Sequence, residues 1–182
     1  MNYYVIQVKT GGEETFLRSA REALTGDNSD TESRIFWPRR SLRIRKKGKT
    51  RDVVSAIFPG YVFLETESLS NDTFWALRRS IGFYKFLRNN HDVQALSGHD
   101  KDLLLHFLKV GEVVEKSKVF FDENSRIRVI EGALKGLEGS IVKVDRRKKR
   151  AKVSLSLYED SFLIDFGFEL MEHVEGDGSN KE

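Results

Sequence analysis

Few residues of this sequence have the types and spacing needed for covalent or metal chemistry. The absence of cysteine excludes thiolate nucleophiles, thiolate metal sites and disulfides. The histidines have none of the common metal-ligand spacings. They are His91, His99, His106 and His173. No nucleophile elbow occurs, and neighbouring acids such as Glu65 and Glu67 are typical of the exposed ends of strands. The sequence therefore predicts a protein that is not an enzyme and uses no cofactor or metal.

A basic stretch between Arg34 and Arg51 contains no acid and could instead bind a polyanion. Its residues Gly48, Lys49 and Thr50 match the end of a phosphate-binding loop, but that motif needs a glycine where Arg43 stands. The nucleotide-binding interpretation therefore fails. Alternating apolar and basic residues around a glycine predict a β-hairpin. A solvated arm and a surface that binds a polyanion are both open interpretations of this hairpin.

A second group of cations lies in the C-terminal third of the chain. Alternating apolar residues at 140–144 and 153–157 predict two strands, and the turn between them is almost wholly basic. The cations of this turn and its adjoining strands are Lys143, Arg146, Arg147, Lys148, Lys149, Arg150 and Lys152. Like charges repel, so the cluster predicts an anionic ligand. The alternative is a turn that only faces solvent.

The stretch Ala56–Thr66 offers binding through aromatic side chains. It is an apolar strand interrupted by Pro59 and Gly60, which is typical of a bulge or an edge bend. Such a bend can turn the flanking aromatics, Phe58 and Tyr61, out of the normal alternation and expose them. The other interpretation is a bulged strand of the core.

The elements that would position these residues form two domains. Apolar periodicity predicts a strand at 3–8 and helices at 13–24, 70–79 and 98–111, which with the intervening strands make an α+β sandwich over residues 1–112. Residues 113–123 are predicted to be a linker. Several short alternating strands predict a small β-barrel at 124–175. The polar tail at 176–182 is predicted to be disordered.

No apolar run approaches the length of a membrane span, and the N-terminus lacks the layout of a signal peptide. The net charge of +3 says little by itself, because it is the distribution of charge that differs along the chain. These features predict a cytoplasmic protein with no membrane partner. The protein is also expected to be a monomer.

Three short segments give the sequence a strong resemblance to the NusG family of transcription factors. The N-terminal segment Tyr3–Val8, the Phe58–Val62 signature and the segment Leu77–Phe83 resemble the family's N-terminal domain. The glycines Gly132, Gly136 and Gly139, in the context of 127–155, resemble its C-terminal KOW domain. The resemblance implies a NusG-type N-terminal α/β sandwich followed by a small KOW β-barrel.

The family resemblance also implies partners and site residues. The N-terminal domain is expected to bind the coiled-coil clamp helices of RNA polymerase. By position, the residues expected at this apolar cavity are Gln7, Phe58, Pro59, Gly60, Tyr61 and Tyr84. The opposite edge is expected to face upstream or non-template DNA and the polymerase gate. The residues expected there are Lys9, Asn71, Thr73, Arg78 and Arg79.

Two departures from the family pattern point to a specialised paralogue similar to LoaP. Leu137 stands where general members have a bulky aromatic for docking NusE or Rho, and the turn at 146–150 is wholly basic. Both changes favour a KOW domain that binds a structured RNA, such as a leader hairpin, and a factor that promotes processive antitermination. The alternatives are a general NusG factor coupled to NusE or Rho, and a KOW-containing RNA-binding protein of the ribosome. The alternation at 141–144 and 153–157 argues against an RfaH-like switch to helices.

Overall fold

The computed structural model describes residues 1–25, 33–87 and 90–172. The chain divides into two compact units. The first contains residues 1–40 and 54–114, and the second contains residues 41–53 and the chain from 115 onward. The predicted tail at 176–182 and His173 lie outside the described residues.

The first unit is built on a four-stranded sheet in the order β2-β5-β1-β6. Its strands are β1 (Asn2–Val8), β2 (Arg34–Phe36), β5 (Tyr61–Thr66) and β6 (Phe83–Phe86). Its helices are α1 (Glu13–Leu24), α2 (Asn71–Arg79) and α3 (Gly98–Val110). The sheet is antiparallel, and Val5 of β1 pairs with Phe63 of β5.

One face of this sheet packs against α1 and α2. The alternate residues Tyr4, Ile6 and Val8 of β1 join Phe16 of α1 and Leu77 of α2 in a single buried cluster. Helix α2 begins with a side-chain cap, because the Ser70 hydroxyl accepts a hydrogen bond from the Thr73 amide at 3.2 Å. Amphipathic periodicity and a side-chain cap therefore position these two helices.

The other face is covered through a chain of aromatic rings. Phe36 stacks on Phe63 with ring centroids 6.0 Å apart, and Phe63 meets Phe58 edge-on at 5.8 Å. Phe58 in turn contacts Phe107 of α3 edge-on at 5.9 Å. Helices therefore lie on both faces, as expected for the predicted α/β sandwich.

A long hairpin leaves the first unit between β2 and β5. It consists of β3 (Arg39–Lys46) and β4 (Lys49–Ala56), joined by a turn at Lys47 and Gly48. Both turn residues have positive φ, 49° and 78°, which is the geometry of a two-residue type I′ turn. The base of β3 pairs in parallel with β7 (Val113–Val114). The predicted hairpin is confirmed.

The second unit contains a five-stranded sheet in the order β10-β11-β12-β8-β9. Its strands are β8 (Ser117–Phe121), β9 (Ile127–Glu131), β10 (Ile141–Asp145), β11 (Arg150–Leu157) and β12 (Asp160–Leu170). Neighbours are antiparallel except β12 and β8, which are parallel. This β unit and the preceding sandwich confirm the α+β fold class.

Two boundaries of the predicted organisation differ in the structure. The predicted linker at 113–123 contains β7 and β8, and in β8 Ser117 and Val119 are buried and Lys118 is half-buried. Because β8 is short and its segment carries charged residues, its alternation of buried and less buried residues is not visible in the sequence. The outer part of the hairpin, residues 41–53, belongs to the second unit although it was predicted within 1–112.

Candidate functional site

The aromatics of the Phe58–Tyr61 bend are buried, so the prediction that they are exposed is wrong. Phe58 is 1% exposed and Tyr61 is 5% exposed. The bend directs Phe58 into the aromatic chain between the sheet and α3, and Tyr61 re-enters the sheet opposite Gln7. These two residues stabilise the fold around the site, as the core-strand interpretation expects.

The turn between them is anchored by a buried carboxylate that the sequence analysis did not single out. Glu13, 3% exposed at the start of α1, accepts a hydrogen bond from the Gly60 amide at 2.7 Å. The Gly60 carbonyl accepts a hydrogen bond from the Val8 amide at 2.8 Å. Gly60 has φ +85°, and an added Cβ would lie 3.0 Å from the Thr10 hydroxyl. The turn therefore joins the ends of β1, α1 and β5, and it requires glycine.

One end of the sheet gathers the residues predicted to contact polymerase. Gln7 lies in register with Tyr61 on one side and Lys85 on the other, so these three residues share one face of the sheet. Gln7 and Lys85 are half-buried. Beside them, a register shift in the pairing of β1 with β6 leaves Tyr84 69% exposed on the edge strand. Tyr84 is therefore the accessible aromatic of this set, and Pro59 is half-buried.

Helix α2 carries most of the residues predicted at the second edge. Asn71, Arg78 and Arg79 are exposed, but Thr73 is 5% exposed and its hydroxyl lies 2.9 Å from that of Ser70. Thr73 was expected to meet DNA, and its burial in the helix cap excludes side-chain contact with a ligand. Lys9 is exposed after β1, outside α2.

The exposed face of α2 has an aromatic-cation cluster around Trp75, which is 50% exposed. The Arg78 guanidinium lies 4.9 Å from the Trp75 ring centroid and 5.4 Å from that of Phe74. The Arg79 Nε donates a hydrogen bond to the Trp75 carbonyl at 3.2 Å. Trp75 lies off the apolar stripe of α2, and that position was the signal that could have identified it as a surface residue.

The basic turn between β10 and β11 is shaped by Asp145. Its carboxylate accepts a hydrogen bond from the Lys148 amide at 2.9 Å, and this bond is the main reason that the pKa of Asp145 is lowered. The Lys148 ammonium lies 3.8 Å from the same carboxylate. Arg147, Lys148 and Lys149 remain exposed at the turn, and Lys143 is exposed on β10.

Besides Lys148, three of the predicted RNA-binding cations make contacts within the protein. Arg146 lies 3.8 Å from the Phe121 ring centroid, and its guanidinium donates a hydrogen bond to the Ser125 carbonyl at 2.9 Å. Lys152 forms an ion pair with Asp165 at 3.2 Å. Arg150 is half-buried and donates a hydrogen bond to the Arg43 carbonyl at 2.7 Å. Fewer side chains are thus presented to a ligand than the sequence suggests.

Within 1–25, 33–87 and 90–172, no three histidines or acids are grouped to hold a metal ion. No helix in this part of the chain is long and apolar enough to cross a membrane.

Comparisons with known proteins define the class to which this arrangement belongs. Residues 1–105 match the family model described as "Transcription termination factor nusG". The chain belongs to the NusG family of transcription factors.

Relatives in this family match almost the whole chain. The transcription termination/antitermination protein NusG of Helicobacter pylori is 24% identical over 178 residues, which cover 96% of this chain and 99% of that protein. The Escherichia coli protein of the same name is 27% identical over 173 residues, covering 93% and 94%. A solved structure described as "Domain interaction in Thermotoga maritima NusG" shares the fold, with a TM-score of 0.62 at 19% identity, covering 91% of this chain and 93% of that one.

Proposed function

We propose that this NusG-family protein binds RNA polymerase through the end of the sheet that presents Gln7 and Tyr84, and promotes antitermination during elongation. The observation that carries the proposal is Tyr84, an aromatic 69% exposed on an edge strand beside half-buried Gln7. Large aromatics that protrude from a rigid support are the usual energetic centres of protein interfaces. The clamp helices of polymerase, implied by the family resemblance, are the expected partner.

The rigidity of this support comes from the buried part of the signature. Phe58, Gly60 and Tyr61 pack or bond beneath the surface and fix the end of the sheet. A preformed surface lowers the entropy lost on binding, so these residues favour affinity without contacting the partner. Pro59, half-buried in the same turn, is proposed at the rim of the interface.

The proposed second contact of the N-terminal part is with upstream or non-template DNA and the polymerase gate. Exposed Arg78 and Arg79 supply positive charge on α2, with Asn71 on the same helix and Lys9 after β1. Trp75 adds an exposed ring on which an unpaired base can stack.

The KOW-like unit is proposed to bind a structured RNA, such as a leader hairpin, through its basic turn. Arg147, Lys148 and Lys149 protrude together, and Lys143 adds a fourth exposed cation on β10. If about three of them each neutralise one phosphate of a duplex, log affinity should fall with log salt at a slope of about −3. Arg146, Arg150 and Lys152 are assigned mainly to holding the turn in place.

A general elongation factor coupled to NusE or Rho is the second candidate. It is favoured by two exposed apolar side chains of the β unit, Val142 at 57% and Leu163 at 62%. Such residues suit a protein partner rather than RNA. Leu137, half-buried, is smaller than the aromatic expected for that dock.

The test is whether the protein copurifies with RNA polymerase or with ribosomes. The intact tagged protein, expressed in its own host as a monomeric cytoplasmic factor, should copurify with core RNA polymerase after nuclease treatment. Purified polymerase should then bind it directly. Recovery with ribosomes alone would instead support a ribosomal RNA-binding protein. Recovery with both, with only the ribosome association lost on Leu163→Ala, would favour the coupled elongation factor.

A further inference from the structure

The outer part of the β3–β4 hairpin, residues 41–53, carries a concentration of charge with no assigned role. Arg43 forms an ion pair with Asp52 at 3.2 Å. The remaining cations of this segment are exposed, and none of them pairs with an acid among the residues that the structure describes. They are Arg45, Lys46, Lys47, Lys49 and Arg51. Such a charge cluster is unfavourable for the free protein, because like charges on adjoining strands repel.

This hairpin is fixed to the β unit by a contact from the basic turn. Arg150, the first residue of β11, donates a hydrogen bond to the backbone carbonyl of Arg43 at 2.7 Å. Leu42 beside it is 8% exposed, and a Cβ added at Gly167 of β12 would lie 3.7 Å from its methyl group. Residues 41–53 and the β unit form one compact body.

The contact by Arg150 has an energetic cost that suggests a role beyond folding. Its Nε is buried and lacks a hydrogen-bond partner among the described atoms. A buried unsatisfied donor is unfavourable, and the same backbone contact places a second positive charge next to Arg43.

Two basic ribbons, the hairpin at residues 41–53 and the turn at 146–149, are linked where Arg150, next to the turn, donates a hydrogen bond to the Arg43 carbonyl. The path between them runs from the turn through Arg150 to Arg43, and then along β3 to the hairpin turn at Lys47. From Arg43 to Lys47 the path covers four residue steps, which is about 13 Å at the usual rise of a strand. The carboxylates along this path, Asp52 and Asp145, are each engaged by a neighbouring cation or amide.

We propose that residues 41–53 and the turn at 146–149 form one binding surface for a double-helical RNA stem, with each ribbon contacting phosphates. The proposal rests on the proposed RNA binding by the basic turn and extends that site to the hairpin. A-form RNA has a deep, narrow major groove, so its two phosphate rows lie close enough for neighbouring ribbons to contact both. The major groove of B-form DNA is about 12 Å wide and separates those rows further.

The first test measures affinity and its salt dependence. The probe is a fluorescent RNA stem-loop enriched from a random pool with the intact protein, and a DNA duplex of the same stem sequence is the comparator. The hairpin variant is Lys46→Glu with Lys49→Glu, and the turn variant is Arg147→Glu with Lys148→Glu. Lys109→Glu with Lys135→Glu is the matched control, because both lysines are exposed and belong to neither ribbon.

Each ribbon variant should weaken RNA binding about tenfold or more and flatten the salt slope by about two, whereas the control should do neither. If only the turn variant weakens binding, the hairpin proposal is overturned and the proposed RNA function stands. If neither ribbon variant weakens binding, both fail. Equal affinity for the DNA duplex would overturn the assignment to RNA. Circular dichroism of every variant establishes that the fold is retained.

A second measurement locates both ribbons on the RNA. Because the natural chain has no cysteine, Lys46→Cys and Lys148→Cys each give a unique thiol for an iron–EDTA cleavage probe. The two probes should cleave neighbouring nucleotides of one stem. Lys135→Cys should give no specific cleavage. Cleavage from position 148 without cleavage from position 46 would contradict the shared surface.

Discussion

Two aromatic residues of the same proposed site should respond to mutation in opposite ways. Phe58 is 1% exposed and contacts Phe63 and Phe107, whereas Tyr84 is 69% exposed. Phe58→Ala removes a buried ring and leaves a cavity, which typically costs about 3–5 kcal/mol of unfolding free energy. For a chain of this length that is a fall in Tm on the order of 10 °C.

Tyr84→Ala should leave stability within about 0.5 kcal/mol of the wild type, because the ring has little packing to lose. If Tyr84 is a central contact, its removal should weaken polymerase binding by about 2 kcal/mol, which is roughly 30-fold in Kd. Thermal denaturation followed by circular dichroism measures the first quantity. Biolayer interferometry with core polymerase, performed below the Tm of the Phe58 variant, measures the second.

The matched control for binding is Leu163→Ala, which removes a side chain 62% exposed in the second unit. It should change neither the Tm nor the affinity for polymerase. The reasoning is refuted if Phe58→Ala melts at the wild-type temperature, or if Tyr84→Ala is folded and binds polymerase with unchanged Kd.

Three further predictions concern the supports of the site. Glu13→Ala leaves the Gly60 amide without its partner and should destabilise the protein by about 2 kcal/mol in urea denaturation, whereas Glu13→Gln keeps an acceptor and should cost less. Gly60→Ala forces a Cβ into a φ of +85° and towards Thr10, and should cost more than 1 kcal/mol, so a wild-type urea midpoint would contradict it. Tyr3 donates to Glu65 at 2.7 Å, and burial, followed by this bond, raises the pKa of Tyr3 to about 12. The stabilisation by the Tyr3 hydroxyl should be complete below pH 10 and lost as the pH rises towards 12. The Tyr3→Phe variant should therefore be about 1 kcal/mol less stable than the wild type at pH 8, and this difference in stability should disappear by pH 12. A stability deficit of Tyr3→Phe that does not change with pH would contradict this effect of the Tyr3 titration.

Local periodicity was enough to predict the helices and most of the strands. Helix α1 follows the predicted bounds, Glu13–Leu24, and α2 follows the Ser70 cap. These features depend on residues within one or two turns of each other, so their pattern is visible in the chain. The same holds for the turn at Lys47 and Gly48.

The environment of the proposed site depends on long-range contacts and was harder to predict. A bend at Pro59 and Gly60 can turn Phe58 either outwards or inwards, and α3, far along the chain, covers the inner position. The partner of Glu13, the Gly60 amide, is 47 residues away, so no local pattern identifies this contact. Likewise, only the structure joins Arg150 to Arg43, which are 107 residues apart.

The most direct test of the central claim is terminator read-through in reconstituted transcription. Core polymerase of the same host transcribes a template that encodes the enriched RNA stem-loop upstream of an intrinsic terminator, with and without the intact protein. The protein should increase the full-length fraction, and both Tyr84→Ala and the Arg147→Glu, Lys148→Glu variant should abolish the increase. The same template without the stem-loop should show no increase. Unchanged or reduced read-through with wild-type protein bound to polymerase would contradict the proposal.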